Sequence, residues 1–150
     1  MYINRVVIKN FRNFDLFDIE LKPFTVIIGE NNIGKSNLLN AISLVLSDDI
    51  QAYRRRRLEV EDFNINAITE FKKDIIGKDI EDISFPEIRI DLYVSQLNLD
   101  QETIVDNYWF DFEKKIARLS YLFSNKSKRR KQYLIKTFPI YGTIQSTLIL

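Results

Sequence analysis

Lys35 and Ser36 stand at the end of Gly29-Glu30-Asn31-Asn32-Ile33-Gly34-Lys35-Ser36, which satisfies the phosphate-binding pattern G-x-x-x-x-G-K-[ST] in full. The residue types suit a triphosphate. Backbone N–H groups of residues 30 to 36, and the positive end of a helix starting there, can face several negative charges at once. Gly34 lets the backbone come close, Lys35 is placed to reach the β- and γ-phosphates as the candidate catalytic cation, and the Ser36 hydroxyl is a ligand for Mg²⁺. Asparagine visits the left-handed region more readily than other non-glycine types, so Asn31 or Asn32 is expected there. With only 4 glycines in the chain, a full match by accident is on the order of one in a hundred or less. The ligand implied is ATP with Mg²⁺.

Such a loop needs a strand to enter it and a helix to leave it. Phe24 to Ile28 is a continuous apolar run and reads as a central strand. Leu38, Ile42 and Val45, with Leu39 and Leu46 beside them, give an amphipathic helix after Ser36. Two strands precede the loop, over residues 2–9 and 17–21, and Pro23 ends the second. Beyond the loop, Ile68, Phe71 and Ile75 repeat at helical spacing after Asn66, with Gly77 as a stop. Ile88, Ile90, Leu92 and Val94 alternate with polar residues as a strand, and residues 108–112 and 117–123 read as a hairpin joined through Glu113-Lys114-Lys115.

Composition narrows the chemistry. The 150 residues, 45% hydrophobic and 13% aromatic, suffice for one domain with a core. A net charge of +1 gives no global pull toward nucleic acid or anionic membrane. Having no cysteine and no histidine, the chain holds no disulfide, thiolate zinc site, thiol nucleophile or imidazole base. No signal-like or membrane-spanning run is present in the sequence, which leads to the expectation of a cytoplasmic protein without a membrane partner.

The order of a strand, Asn10-Phe11-Arg12-Asn13-Phe14, a second strand and Gly-Glu-Asn-Asn-Ile-Gly-Lys-Ser-Asn resembles the ABC-type ATPase heads of the RecF, SMC and OLD (overcoming lysogenization defect) families. The likeness covers about the first third of the chain. Glu30-Asn31-Asn32 and Asn37-Leu38-Leu39 lean toward the OLD family, which includes the GajA type of anti-phage nuclease. The resemblance implies an α/β fold: the N-terminal part of an ABC-type P-loop ATPase head, a mixed sheet with an antiparallel β lobe beside the P-loop helix. It also implies that Asn10, Arg12 and Asn37 lie with the loop at the nucleotide, the alternative for the Asn10–Phe14 element being a solvated β-turn with Phe11 and Phe14 in the core. It nominates Gln96, which follows a strand as the Q-loop glutamine does, as a second Mg²⁺ contact, the alternative being a surface glutamine. Association of heads in pairs, a homo-oligomer or a partner protein, and DNA as the substrate of the full-length protein are implied in the same way.

Other parts of such an ATPase are not found in these residues. Tyr108-Trp109-Phe110-Asp111 is the nearest approach to a Walker B strand, but Phe112 stands where the catalytic acid belongs. A Leu-Ser-Gly-Gly-like signature and the Toprim acids of OLD nucleases are also absent from the sequence. Residues 1–150 are therefore expected to be the ATP-binding half of an incomplete head. Its full form would couple ATP to DNA processing, as an endonuclease in antiviral defence or as a RecF- or SMC-like ATPase. A nucleotide-binding interaction module without turnover is the reading from another class. Two basic runs, Arg54 to Arg57 and Lys128 to Lys131, are candidate DNA-facing surfaces or solvated segments.

Overall fold

The structure, a computed structural model, describes residues 1–31, 33–46, 58–79, 82–104, 109–111 and 113–124. Strands β1 (Tyr2–Phe11) and β2 (Phe14–Glu20) form a hairpin, and the phosphate loop leads into helix α1 (Lys35–Leu46). A 3₁₀ turn, Val60–Asp62, precedes α2 (Ile65–Gly77) and β3 (Ile88–Ser95). A short α3 (Leu99–Ile104) then leads to β4 (Trp109–Asp111) and β5 (Ile116–Phe123). The strands make one sheet in the order β2-β1-β3-β5-β4, and each described pairing is antiparallel.

Alternation along the strands gives the sheet two unlike faces. Val6 and Ile8 lie opposite Leu92 and Ile90, which in turn lie opposite Leu119 and Tyr121. This apolar face packs on Leu38, Ala41, Leu44 and Val45 of α1, with Phe63 and Ile68 completing the core. Ala41 has no exposed surface, so the helix can lie close on the sheet. The opposite face is polar. Arg5 holds Asp18 through two hydrogen bonds of 2.8 and 2.5 Å, and those bonds keep the Asp18 carboxyl below the usual carboxylate range. The pair is solvent-exposed, so it contributes little to stability. Asp91, buried in the central strand, accepts from Arg89 Nε at 2.8 Å and Ser120 Oγ at 2.5 Å. Its charge is thus compensated.

Helices α1 and α2, strand β3 and the β4–β5 hairpin follow the sequence pattern. Phe24 to Ile28 does not. These residues form no strand, and Phe24 and Ile28 are 84% and 89% exposed. A doubly buried strand needs ladder partners on both sides and cover on both faces. The described sheet, antiparallel throughout and bounded on this side by β2, supplies neither. Helix α2 begins two residues earlier than Asn66 suggests, because the side chain of Asn64 accepts from Asn66 N at 2.9 Å and acts as the cap. Both basic runs lie outside the described residues.

Replacing Ile90, fully buried at the centre of the apolar face, with alanine should cost about 2–5 kcal/mol. Leu16→Ala, on a residue 72% exposed, should change stability by less than about 0.5 kcal/mol. Denaturant unfolding of the two variants at constant slope checks the contrast.

Candidate functional site

Gly34 is the pivot of the phosphate loop. Its φ of +112° is one that side chains rarely tolerate, and a Cβ placed on it would lie 2.3 Å from the amide nitrogen of Asn13. That amide donates to the carbonyl of Ile33 at 3.3 Å. The turn between β1 and β2 therefore grips the end of the loop just before the helix begins. Helix α1 opens at once, with Leu38 N donating to Gly34 O at 2.9 Å. The N–H groups of its first turn have no partner within the helix, which leaves the positive end of α1 at the loop.

Lys35 folds back over this loop. Its ammonium donates to the carbonyls of Gly29 at 2.6 Å and Glu30 at 2.5 Å. A cation is thus already centred on the loop, and its donors are exchangeable for phosphate oxygens. Ser36 is exposed on the first turn, where its hydroxyl is accessible to a metal-bound phosphate. Glu30, Asn31 and Ile33 are exposed as well, a Cβ on Gly29 would meet only the Cγ2 methyl of Ile33, and Asn32 lies outside the described residues. Among the described residues of the loop positive φ belongs to Gly34, Asn31 is outside that region, and the alternative expectation at Asn32 lies outside the described residues. An unobstructed backbone, a lysine and a hydroxyl at a helix start fit a Mg²⁺-bound triphosphate.

Arg12 joins this group in an unexpected manner. It takes the first position of the two-residue β1–β2 turn at φ +51°, a conformation that costs a non-glycine residue free energy and marks functional sites. Its Nε donates to Asp62 Oδ1 at 2.9 Å and its Nη1 to Asn37 Oδ1 at 2.9 Å, while Asn37 Nδ2 donates to Asn13 Oδ1 at 2.7 Å. The guanidinium also lies 5.1 Å from the ring centre of Phe11. Asn10, at φ +57°, turns away from the loop and donates to the carbonyl of Glu87 at 3.0 Å. Asn10 therefore shapes the strand end and does not line the loop.

Gln96 is not brought to the site. It follows Ser95, which pairs with Tyr2, whereas the loop is gripped at the Phe11 end of the same ten-residue strand. At about 3.3 Å per residue the two ends are roughly 30 Å apart. A strand followed by a glutamine carries no information about which end of the sheet it reaches. Conversely, Asn13, Asp62 and Asn64 belong to the site and were not singled out from the sequence. Asp62 meets Arg12 across 50 positions, and no local pattern encodes such a contact.

The model of the AAA ATPase domain matches residues 1–146. The chain belongs to the AAA ATPase domain family. Among curated proteins, an OLD nuclease of Thermus scotoductus is 38% identical over 64 residues, which are 43% of this chain and 12% of that protein. Endonuclease GajA of Bacillus cereus is 42% identical over 53 residues, 35% of this chain and 9% of GajA. The replication and repair protein RecF of Halalkalibacterium halodurans is 49% identical over 43 residues, 28% and 12% of the two chains. The matched part of this chain thus spans about a tenth of the length of each of these relatives. The family and these similarities agree with the OLD-, RecF- and SMC-like character of the phosphate-loop region. No helix among the described residues is long and apolar enough to cross a membrane.

Gly34→Ala should both strain the backbone and collide with Asn13, lowering stability by about 1–3 kcal/mol and eliminating nucleotide binding. Gly29→Ala meets only the Ile33 Cγ2 at 3.0 Å, which must give by a few tenths of an ångström, and its φ lies outside the left-handed region, so it should be the milder change. Thermal melting and fluorescent-nucleotide titration of both variants test the order.

Proposed function

We propose that residues 1–150 are the ATP-binding N-terminal half of an ABC-type ATPase head, and that the complete protein couples Mg-ATP binding and hydrolysis to processing of DNA. What carries the nucleotide part is the loop itself: Gly34 at positive φ against Asn13, Lys35 centred on the loop carbonyls and Ser36 at the helix start. Bound Mg²⁺ would supply charge neutralisation at the phosphate oxygens, with Ser36 as its ligand from this chain. Lys35 would leave the carbonyls of Gly29 and Glu30 for the β- and γ-phosphates. The exposed apolar run from Phe24 to Ile28 supports an incomplete half, since it leaves apolar side chains that other parts of a head would cover. A cytoplasmic setting, where ATP is available, and pairing of heads as a homo-oligomer or with a partner protein complete the proposal.

The names of two relatives, a nuclease and an endonuclease, support an ATP-regulated endonuclease in anti-phage defence as the specific activity. The similarity to RecF supports the second reading, a repair or chromosome ATPase. The sequence has no Walker B acids or signature, which favours a third, a nucleotide-binding module without turnover.

Lys35→Ala should abolish Mg-ATP binding with an unchanged circular dichroism spectrum, because it removes a half-buried cation that is no part of the core and buries nothing. In the same preparations the wild-type 150-residue chain should bind Mg-ATP yet hydrolyse it negligibly. Unchanged affinity in the variant rejects the phosphate-loop reading, and robust steady-state turnover rejects the incomplete head.

The DNA partner has its own test. Neutral replacements of Arg54 to Arg57 or Lys128 to Lys131 should weaken DNA binding by the complete assembly and flatten its log-log salt dependence by about one unit of slope per lost phosphate contact. ATP affinity serves as the control. Identical slopes would leave both runs as solvated segments.

A further inference from the structure

Cationic groups gather at the start of α1. Lys35, Arg12 and the positive end of α1 converge within the first helical turn, since Arg12 is bonded to Asn37, the third residue of the helix. Asp62 is the one acidic side chain hydrogen-bonded to this group among the described residues. It is held on every side. Oδ1 accepts from Arg12 Nε, Oδ2 accepts from Glu59 N at 3.1 Å, and the backbone carbonyl accepts from Arg12 N at 2.8 Å. Asn64 adds two further ties to the same turn, from its backbone N to Asn10 O at 3.0 Å and from its side-chain amide to Arg12 O at 2.9 Å. Both the backbone and the side chain of Arg12 are therefore fixed by the segment from Asp62 to Asn64.

Three features set the direction in which Arg12 can act. Nε is committed to Asp62 and Nη1 to Asn37, whereas Nη2 bonds no described residue, and the side chain is 27% exposed. Nη2 is thus the nitrogen left for a further partner, on a guanidinium that Nη1 ties to the first turn of α1. A planar fork anchored on two of its nitrogens loses little further freedom when the third meets an anion. The left-handed backbone of Arg12 is held by separate bonds to the same segment, Arg12 N to Asp62 O and Asn64 Nδ2 to Arg12 O.

We propose that Asp62 is a positioning residue of the phosphate loop, holding Arg12 across the first turn of α1 so that its open edge meets the phosphate chain together with Lys35. This rests on the nucleotide reading above and extends it to residues of the 58–64 segment. Asp62 touches no ligand itself. Its effect passes through Arg12, and its consequence is selectivity for a longer phosphate chain over a monophosphate.

The test uses the full 150-residue chain and titrates fluorescent ATP and AMP derivatives, with Mg²⁺, into wild type, Arg12→Ala, Asp62→Ala and the double variant, each checked by thermal melting. Loss of one charge-assisted contact should weaken ATP binding by about 10- to 100-fold in each single variant, with AMP affinity changed much less. The double variant should bind ATP no more weakly than Arg12→Ala, because Asp62 acts only through that side chain. A merely structural Asp62 would instead lower the melting temperature and weaken both nucleotides, additively with Arg12→Ala. Should Asp62→Ala fail to fold, Asn37→Ala removes the other anchor of the guanidinium and is expected to lower the ATP-to-AMP ratio likewise. Wild-type ATP affinity in a folded Asp62→Ala, tighter ATP binding there, or additivity in the double variant would each overturn the proposal. A wild-type chain that binds no ATP would overturn the phosphate-loop reading and this inference with it, and is distinguished by failing before any variant is compared.

Discussion

The salt bridge between Arg12 and Asp62 joins three pieces of chain that are far apart in sequence: the β1–β2 turn, the start of α1 and the segment leading into α2. Both side chains are largely withdrawn from solvent, so the pair costs desolvation that good geometry must offset. That geometry is present. Each polar end has a second partner, Asn37 for the guanidinium and the Glu59 amide for the carboxylate. Two departures from strand conformation flank Phe11, and backbone bonds to the same segment hold them: Asn64 N to Asn10 O, and Arg12 N to Asp62 O.

The sheet provides the platform for this arrangement. Its apolar face fixes α1 in position and orientation through Leu38, Ala41, Leu44 and Val45. Asn13 then fixes the loop relative to the helix, because its amide occupies the space beside Gly34 that any larger residue would need. Lys35 answers to both constraints: the helix sets its backbone, and the loop carbonyls hold its ammonium. The phosphate site is therefore positioned from two directions, by hydrophobic packing beneath it and by polar contacts at its side.

Much of the fold was legible from periodicity alone. Ile88 to Ser95 alternates and forms the central strand, and residues 116–123 return antiparallel to it, because alternation at period two is a property of the strand itself. Helix α3 carried a readable signal that passed unused: Asn98 and Gln101 cap each other, Asn98 N to Gln101 Oε1 at 3.0 Å and Gln101 N to Asn98 Oδ1 at 2.9 Å. Phe24 to Ile28 was misread for a different reason. A strand is defined by its neighbours, and an apolar run states a preference for burial without supplying the partner.

By itself the sequence determined the loop, its chemistry and the helix behind it, since G-x-x-x-x-G-K-S places Gly34, Lys35 and Ser36 within a few bonds of one another and local geometry does the rest. Only the tertiary structure decided which distant residues reach that loop. Asn13 and Arg12 do so because the β1–β2 turn ends beside Gly34, and Asp62 because its segment pairs with that turn. Gln96 does not, because antiparallel pairing sends the end of β3 to the far end of the sheet. Contacts of this kind depend on strand direction and register, which arise from the packing of the whole sheet and are written in no local stretch of the chain.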